Sequence, residues 1–211
     1  NISKKLITLK EYKEFVDATG YITEAEKDGW GWIWNNQWEK KKNLCWRSPF
    51  LNDADDLYNE NSDIIPVLQT SWNDAFSYCK WKSIKESCIF RLPSEYEWEI
   101  ASVFLCQANE ISSDQYRWTN DYQYILDILN IVERVKIHFS GLLWEWTLDW
   151  FKAYPQGPDQ KEFGEVYKVL RGGSLMSNSV QKMNTYRFRR CPTARSPFYG
   201  FRVVIDCNNI S

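Results

Sequence analysis

The sequence predicts an α+β domain in which helices come first and short strands last. Three observations carry the prediction. Helix-start signals stand in the first half, at Thr8, Ser71 and Ser94, and strand-like apolar pieces separated by Gly, Pro and Asn occupy the chain from Gly141 onward. Aromatic side chains, 12 Trp, 12 Tyr and 11 Phe, make up 17% of the sequence, too many for a disordered segment. A chain of 211 residues can bury about 70% of the surface that it exposes when unfolded. No Pro/Gly/Ser-rich stretch or long charge run divides it, and no repeat of about 20 to 50 residues is visible, so one domain over 1–211 is expected.

Each element has its own signal. Thr8-Leu9-Lys10-Glu11 is a capping box, whose hydroxyl and carboxylate satisfy backbone N–H groups that a helix start leaves without partners. Leu9, Tyr12, Phe15 and Val16 follow at helical spacing, and Gly20 tolerates the left-handed conformation that ends the helix. Trp30, Trp32 and Trp34 alternate up to Asn35-Asn36 and the pattern resumes at Trp38, which predicts an aromatic hairpin or a pair of extended segments, with the rings packed into the core. Pro66-Val67-Leu68 leads to Ser71-x-x-Asp74, the cap of a second helix with Trp72, Ala75, Phe76 and Cys79 on its core stripe. Phe90-Arg91-Leu92-Pro93 runs into the box Ser94-Glu95-Tyr96-Glu97, opening a third helix with Trp98, Ala101 and Leu105 facing inward. The stretch 122–135 places Ile125, Ile128, Leu129 and Val132 at amphipathic helical spacing. Strands are expected over 142–149, 166–171, 186–189 and 201–205.

Charge and hydropathy narrow the function. A net charge of −2 and a pI near 5.6 lack the positive field that phosphate neutralisation needs, so no nucleic-acid partner is expected. No apolar run approaches the roughly 20 residues that cross a bilayer and no leader pattern opens the sequence, so no membrane partner is expected; the location is left open, with the cytoplasm favoured. The abrupt start at Asn1, directly before a helix signal, suggests a leader or upstream domain in a longer polypeptide. Cys45, Cys79, Cys88, Cys106, Cys191 and Cys207 contain no C-x-x-C pair, so a zinc ribbon or thioredoxin-type motif is not supported. They read as small core residues, with disulfide pairing left open. The single histidine, His138, reads as a capping or packing residue, since one imidazole cannot build a multi-His metal site.

Several landmarks stand in a telling order. They include Leu9-x-x-Tyr12-x-x-Phe15, Trp46-Arg47-x-Pro49-Phe50, Ser71-Trp72-x-Asp74-Ala75 and Arg91-Leu92-Pro93-x-Glu95-x-Glu97-Trp98-Glu99. Gly141-x-x-Trp144-Glu145-Trp146-Thr147-x-Asp149-Trp150, Leu170-Arg171-Gly172-Gly173-Ser174 and Gly200-Phe201-Arg202 follow. Across nearly the whole chain they resemble the formylglycine-generating-enzyme, or sulfatase-modifying-factor, family. The resemblance implies a C-type-lectin-like fold with short antiparallel strands and much irregular structure.

In active relatives two cysteines after the Arg-Gly-Gly-Ser motif bind copper, and the enzyme oxidises a substrate cysteine to formylglycine with molecular oxygen. The matching positions here are Ser177 and Thr185, neither of them a cysteine. Copper is therefore not expected, because that chemistry needs converging thiolates. Cys191 matches a different cysteine, structural in some members. Family members also hold calcium near Trp144-Glu145-Trp146 with an Asn before it; Leu142 occupies that position, so calcium is left open only at Glu145 and backbone carbonyls, and Glu145 reads better as a buried acceptor. Arg171, Arg187, Arg189 and Arg202 read as braces for carboxylates and carbonyls. Between Cys106 and Gly141 a Gly-rich region usual in the family gives way to the apolar stretch 122–135, which is either a docking surface or a cover for the core.

The function read from this is a noncatalytic protein- or peptide-binding module without a required cofactor, within a multidomain protein or complex as the resemblance implies. Its ligand is expected on the loops 175–199, at Ser177, Thr185, Tyr186, Arg189, Arg195, Phe198 and Tyr199. Two alternatives stand beside it: a metal-dependent oxidase of altered chemistry acting on a peptide or peptide-derived product, and a diversity-generating variable protein whose ligand loops fall in the same C-terminal region.

Overall fold

The computed structural model describes residues 1–50, 62–105, 139–158 and 161–206. The expected helix at 122–135, His138, Cys106 and Cys207 lie outside the described residues.

Helix α1, Leu9–Thr19, starts at the predicted box: Glu11 N donates to Thr8 Oγ1 at 3.3 Å and Thr8 N to Glu11 Oε2 at 2.9 Å. Its buried residues are the four expected, and Gly20 closes it at φ 65°. A second capping box, Thr23 with Glu26, opens the short helix α2, Glu24–Asp28, which ends at Gly29; the sequence reading did not single it out. Strands β1, Trp30–Trp34, and β2, Trp38–Lys42, form an antiparallel hairpin, the first of the two arrangements expected. Helix α3, Trp72–Glu86, is capped by Ser71 and Asp74, and Asp74 reaches beyond its own helix. Its carboxylate also accepts from Tyr21 OH at 3.0 Å and Glu24 N at 3.1 Å, which fastens α2 to the start of α3. Strand β3, Ile89–Arg91, precedes helix α4, Glu95–Leu105. The strands β4 (Trp144–Trp150), β5 (Lys168–Arg171), β6 (Phe188–Arg190), β7 (Tyr199–Gly200) and β8 (Val204–Asp206) follow.

A mixed helix and strand architecture with short strands is what the sequence predicts. The main sheet runs β6-β5-β4-β7, β3 pairs with β8, and the β1-β2 hairpin stands apart. One pairing departs from expectation. The β4 and β7 strands run parallel, Trp144 opposite Tyr199 and Glu145 opposite Gly200, whereas antiparallel strands alone were expected. A connection long enough to cross over, from β4 through β5 and β6, makes the parallel return accessible.

The core fills the space between α1, α3 and the main sheet. Tyr12 meets Trp46 edge-on at 5.3 Å and stacks on Tyr78 at 5.9 Å, while Trp146, Leu170 and Phe201 are fully buried. The hairpin reverses the predicted orientation. Gly31 and Ile33 face inward, and Trp30, Trp32 and Trp34 are only half-buried on the outer face. A Cβ on Gly31 would stand 2.8 Å from Leu44 Cβ, so this face has no room for an indole. The rings instead pack edge-on against each other and against Trp38, with Lys40 Nζ 4.0 Å over Trp30. The stripe of α3 is likewise rotated: Asp74, Ala75, Tyr78 and Cys79 are buried, while Trp72 and Phe76 stack on one another at 4.8 Å in a half-buried position.

Candidate functional site

Two buried carboxylates organise the region where α4 meets the main sheet. Glu145, on β4, accepts from Trp98 Nε1 at 2.8 Å and from Arg202 at 2.5 and 2.7 Å. Both its oxygens are therefore held by donors, and Arg202 is itself fully buried over the Phe139 ring. A divalent cation at Glu145 would have to displace a guanidinium, so its surroundings suit an arginine brace and do not fit calcium. Among the described residues no three His, Cys, Asp or Glu side chains gather as a metal site requires.

Glu95 is the second carboxylate. The box at Ser94 and Glu97 turns the chain into α4 and puts Glu95 at the first helical position, where its own N–H donates to Asp149 Oδ2 at 2.6 Å. Arg91 forks onto Glu97 at 2.6 and 2.7 Å and holds that carboxyl near pH 2. Glu95 Oε1 accepts from Arg187 Nε at 2.5 Å, Tyr154 OH at 3.0 Å and Arg171 Nη1 at 3.1 Å, and Oε2 accepts from Arg187 Nη2 at 2.9 Å. Arg171 continues to Glu99 and to the Thr185 carbonyl. The Arg-Gly-Gly-Ser turn makes this convergence: Gly172 sits at φ 96°, and a Cβ there would lie 2.7 Å from Phe139 O.

These groups form one wall of a cleft of about 870 Å³ lined by Glu95, Trp150, Tyr154, Lys168, Thr185 and Arg187, among others. Lys168 is 4% exposed. Its Nζ lies 4.0 Å from the Trp72 ring and 3.8 Å from the Trp150 ring and donates to Leu148 O at 2.8 Å. Burial pushes its amine down to about 8. The cleft thus offers one flat indole, Trp150, a phenol and a mixed set of charges, the surface chemistry that a peptide uses.

The residues expected to bind a ligand are scattered. Thr185 is exposed at the cleft and joins it. Ser177 is half-buried and its Oγ accepts from Ser174 N at 3.0 Å, within its own turn. Tyr186 packs against Trp144 at 5.9 Å, and Arg189 pairs with Glu162 at 3.4 Å over the Phe151 ring. Three anchors stand corrected. Arg195 is buried, donating to Asp28 at 2.6 Å and to Trp30 O at 2.9 Å beneath the Trp30 ring; it braces the hairpin. Phe198 and Tyr199 are core residues, 2% and 7% exposed, because both lie along Trp144 of β4: Trp144 N donates to Phe198 O at 2.9 Å and Tyr199 of β7 pairs opposite Trp144. The brace reading holds for Arg171, Arg187 and Arg202. Sequence reasoning missed Lys168 and Tyr154, and Trp150, Asp149 and Glu95 were visible only as parts of motifs.

Copper does not fit the positions that the resemblance points to. Ser177 and Thr185 present hard hydroxyl oxygens, and Cys191 is exposed. The Cys79 thiol is pushed up to about 12 by burial, Cys45 is raised as well, and Cys88 is disulfide-bonded.

Comparison with known proteins agrees with this architecture. A family model described as "Sulfatase-modifying factor enzyme 1-like domain" matches residues 1–130 and 137–207. The formylglycine-generating enzyme of Mus musculus is 26% identical over 250 residues, 93% of this chain and 63% of that protein, so the chain spans less than two thirds of that relative's length. Inactive C-alpha-formylglycine-generating enzyme 2 of Mus musculus is 26% identical over 243 residues, 93% of this chain and 71% of that protein. Among solved structures, PvdO from Pseudomonas aeruginosa shares the fold with a TM-score of 0.61 at 19% identity, over 97% of this chain and 79% of that one.

Proposed function

Because the chain belongs to the sulfatase-modifying factor enzyme 1-like family, we propose that it is a noncatalytic member that holds a protein or peptide in the cleft between α4 and the main sheet. The observation that carries this reading is the pair Ser177 and Thr185, hydroxyls where the family's copper chemistry asks for two thiolates. Ser177 is engaged by Ser174, and Thr185 gives its carbonyl to Arg171, so both positions serve the turn that builds the cleft wall. A relative described as inactive, at 26% identity, makes loss of catalysis a familiar outcome on this scaffold. The cleft wall is internally neutralised, Glu95 by Arg171 and Arg187 and Glu99 by Arg171, which favours holding a ligand over proton transfer. The lectin-like topology and a place in a larger polypeptide or complex belong to the same proposal.

Protein loaded with Cu(I) and desalted tests it by metal content and by oxygen uptake with a cysteine-containing peptide. Neither retained stoichiometric copper nor oxygen uptake is expected, while short peptides quench the emission of Trp150. Retained copper together with peptide-dependent oxygen uptake would replace this reading with an oxidase of altered chemistry.

A further inference from the structure

The cations of the cleft are paired with one exception. Arg171 meets Glu95 and Glu99, Arg187 meets Glu95, and Lys152 meets Glu165 at 2.9 Å. Lys168, the most buried lysine of the described residues, has one hydrogen bond, to the Leu148 carbonyl, and makes no ion pair among those residues. The charged groups that act on it are Asp149 of β4, Glu165 and Lys152. Asp149 gives one oxygen to Glu95 N and Glu165 one to Lys152, and among the described residues neither stands within ion-pair distance of Lys168. From α3 only the Trp72 ring faces it, and from β4 the Trp150 ring.

An ammonium held this way is poised for an anion. Two indole faces stabilise the cation and fix its place, but they leave N–H donors unused and supply no counter-charge. Burial without that counter-charge is unfavourable, which is why the amine falls to about 8. The open side of Lys168 is the cleft. We propose that Lys168 is a carboxylate-binding subsite, receiving the C-terminal carboxylate or an acidic side chain of the bound peptide on its cleft side, beside Trp150. The inference rests on the peptide-binding reading above and makes it specific: the preferred ligands carry a carboxylate next to a flat or apolar group that covers the Trp150 indole.

The test compares two libraries. One contains N-acetylated tetrapeptides with free carboxylates; the other carries C-terminal amides, with Asn and Gln replacing Asp and Glu. Tryptophan emission reads binding. At pH 7 the carboxylate library is expected to bind about tenfold more tightly, the effect of one charge-assisted hydrogen bond. Because the free amine loses its proton as the pH rises through about 8, that preference is expected to be full at pH 7 and largely gone at pH 9 in the wild-type protein. Lys168→Met keeps the apolar stem between the rings and is expected to lose the preference, whereas Lys168→Arg keeps it. Equal binding of the two libraries, or a preference that Lys168→Met retains, overturns the subsite and leaves the peptide-binding module standing. Binding of neither library sinks both. The wild-type comparison and its pH series decide the matter even where a variant fails to fold.

Discussion

Glu95 ties together segments that are remote in the chain: its partners Arg171 and Arg187 lie 76 and 92 residues away. Glu95→Gln keeps the shape and removes the charge, leaving the fully buried Arg171 with Glu99 alone. A loss of about 3 kcal/mol is expected, read as a lower midpoint in urea unfolding with an unchanged slope. Glu97 predicts the response to acid. Its folded carboxyl titrates near 2, below its unfolded value, so the stability that it contributes is present above about pH 5 and disappears as the pH falls toward 2. Glu97 is about a third exposed, so solvent screening reduces that contribution to roughly 1 kcal/mol. Thermal melts from pH 6 to pH 3 should fall less steeply for Glu97→Gln than for the wild type. The two neighbouring glutamates show what sequence can carry at this scale. The role of Glu97 was legible because its partner Ser94 lies three residues away, whereas that of Glu95 was not, because no local pattern names a partner on another strand.

Helix starts were readable for the same reason. The boxes at Thr8, Ser71 and Ser94 are complete within four residues, and each opens a helix where predicted. The unread box at Thr23 and Glu26 had the same local signal; the five-residue helix after it has too little periodicity to draw notice. The hairpin shows the opposite case. Alternation located β1 and β2, but it leaves open which face turns inward, and the bulk of three tryptophans suggested the wrong one. Gly31 decides it, since only a missing Cβ lets the strand approach Leu44. Gly31→Ala should cost about 1 to 3 kcal/mol through overpacking, measured by chemical unfolding; a neutral result would mean that the strand has room to shift.

At the scale of the molecule the first residues close the structure. Asn1 and Ile205 exchange backbone hydrogen bonds at 2.9 and 2.7 Å, Ser3 N donates to Val203 O at 2.8 Å, and Ile7 N to Phe201 O at 2.9 Å. Ile7 O in turn accepts from Val67 N, so this segment lies between the C-terminal strands and the approach to α3. Removing residues 1–7 is expected to abolish the sharp near-ultraviolet dichroism of the packed aromatics and the cooperative melt; retention of both would show the segment to be peripheral. The cleft was least legible of all, because Lys168, Trp150 and Tyr154 meet Glu95 only after the main sheet has formed. The stitch between the two ends also sets a timetable. A nascent chain cannot complete this core until residues 199–205 have been made, so nearly the whole set of indoles and phenols must wait, uncovered, for the last strands to arrive. Folding governed by such distant pairings is slow, and during that wait the uncovered aromatics leave the chain open to aggregation.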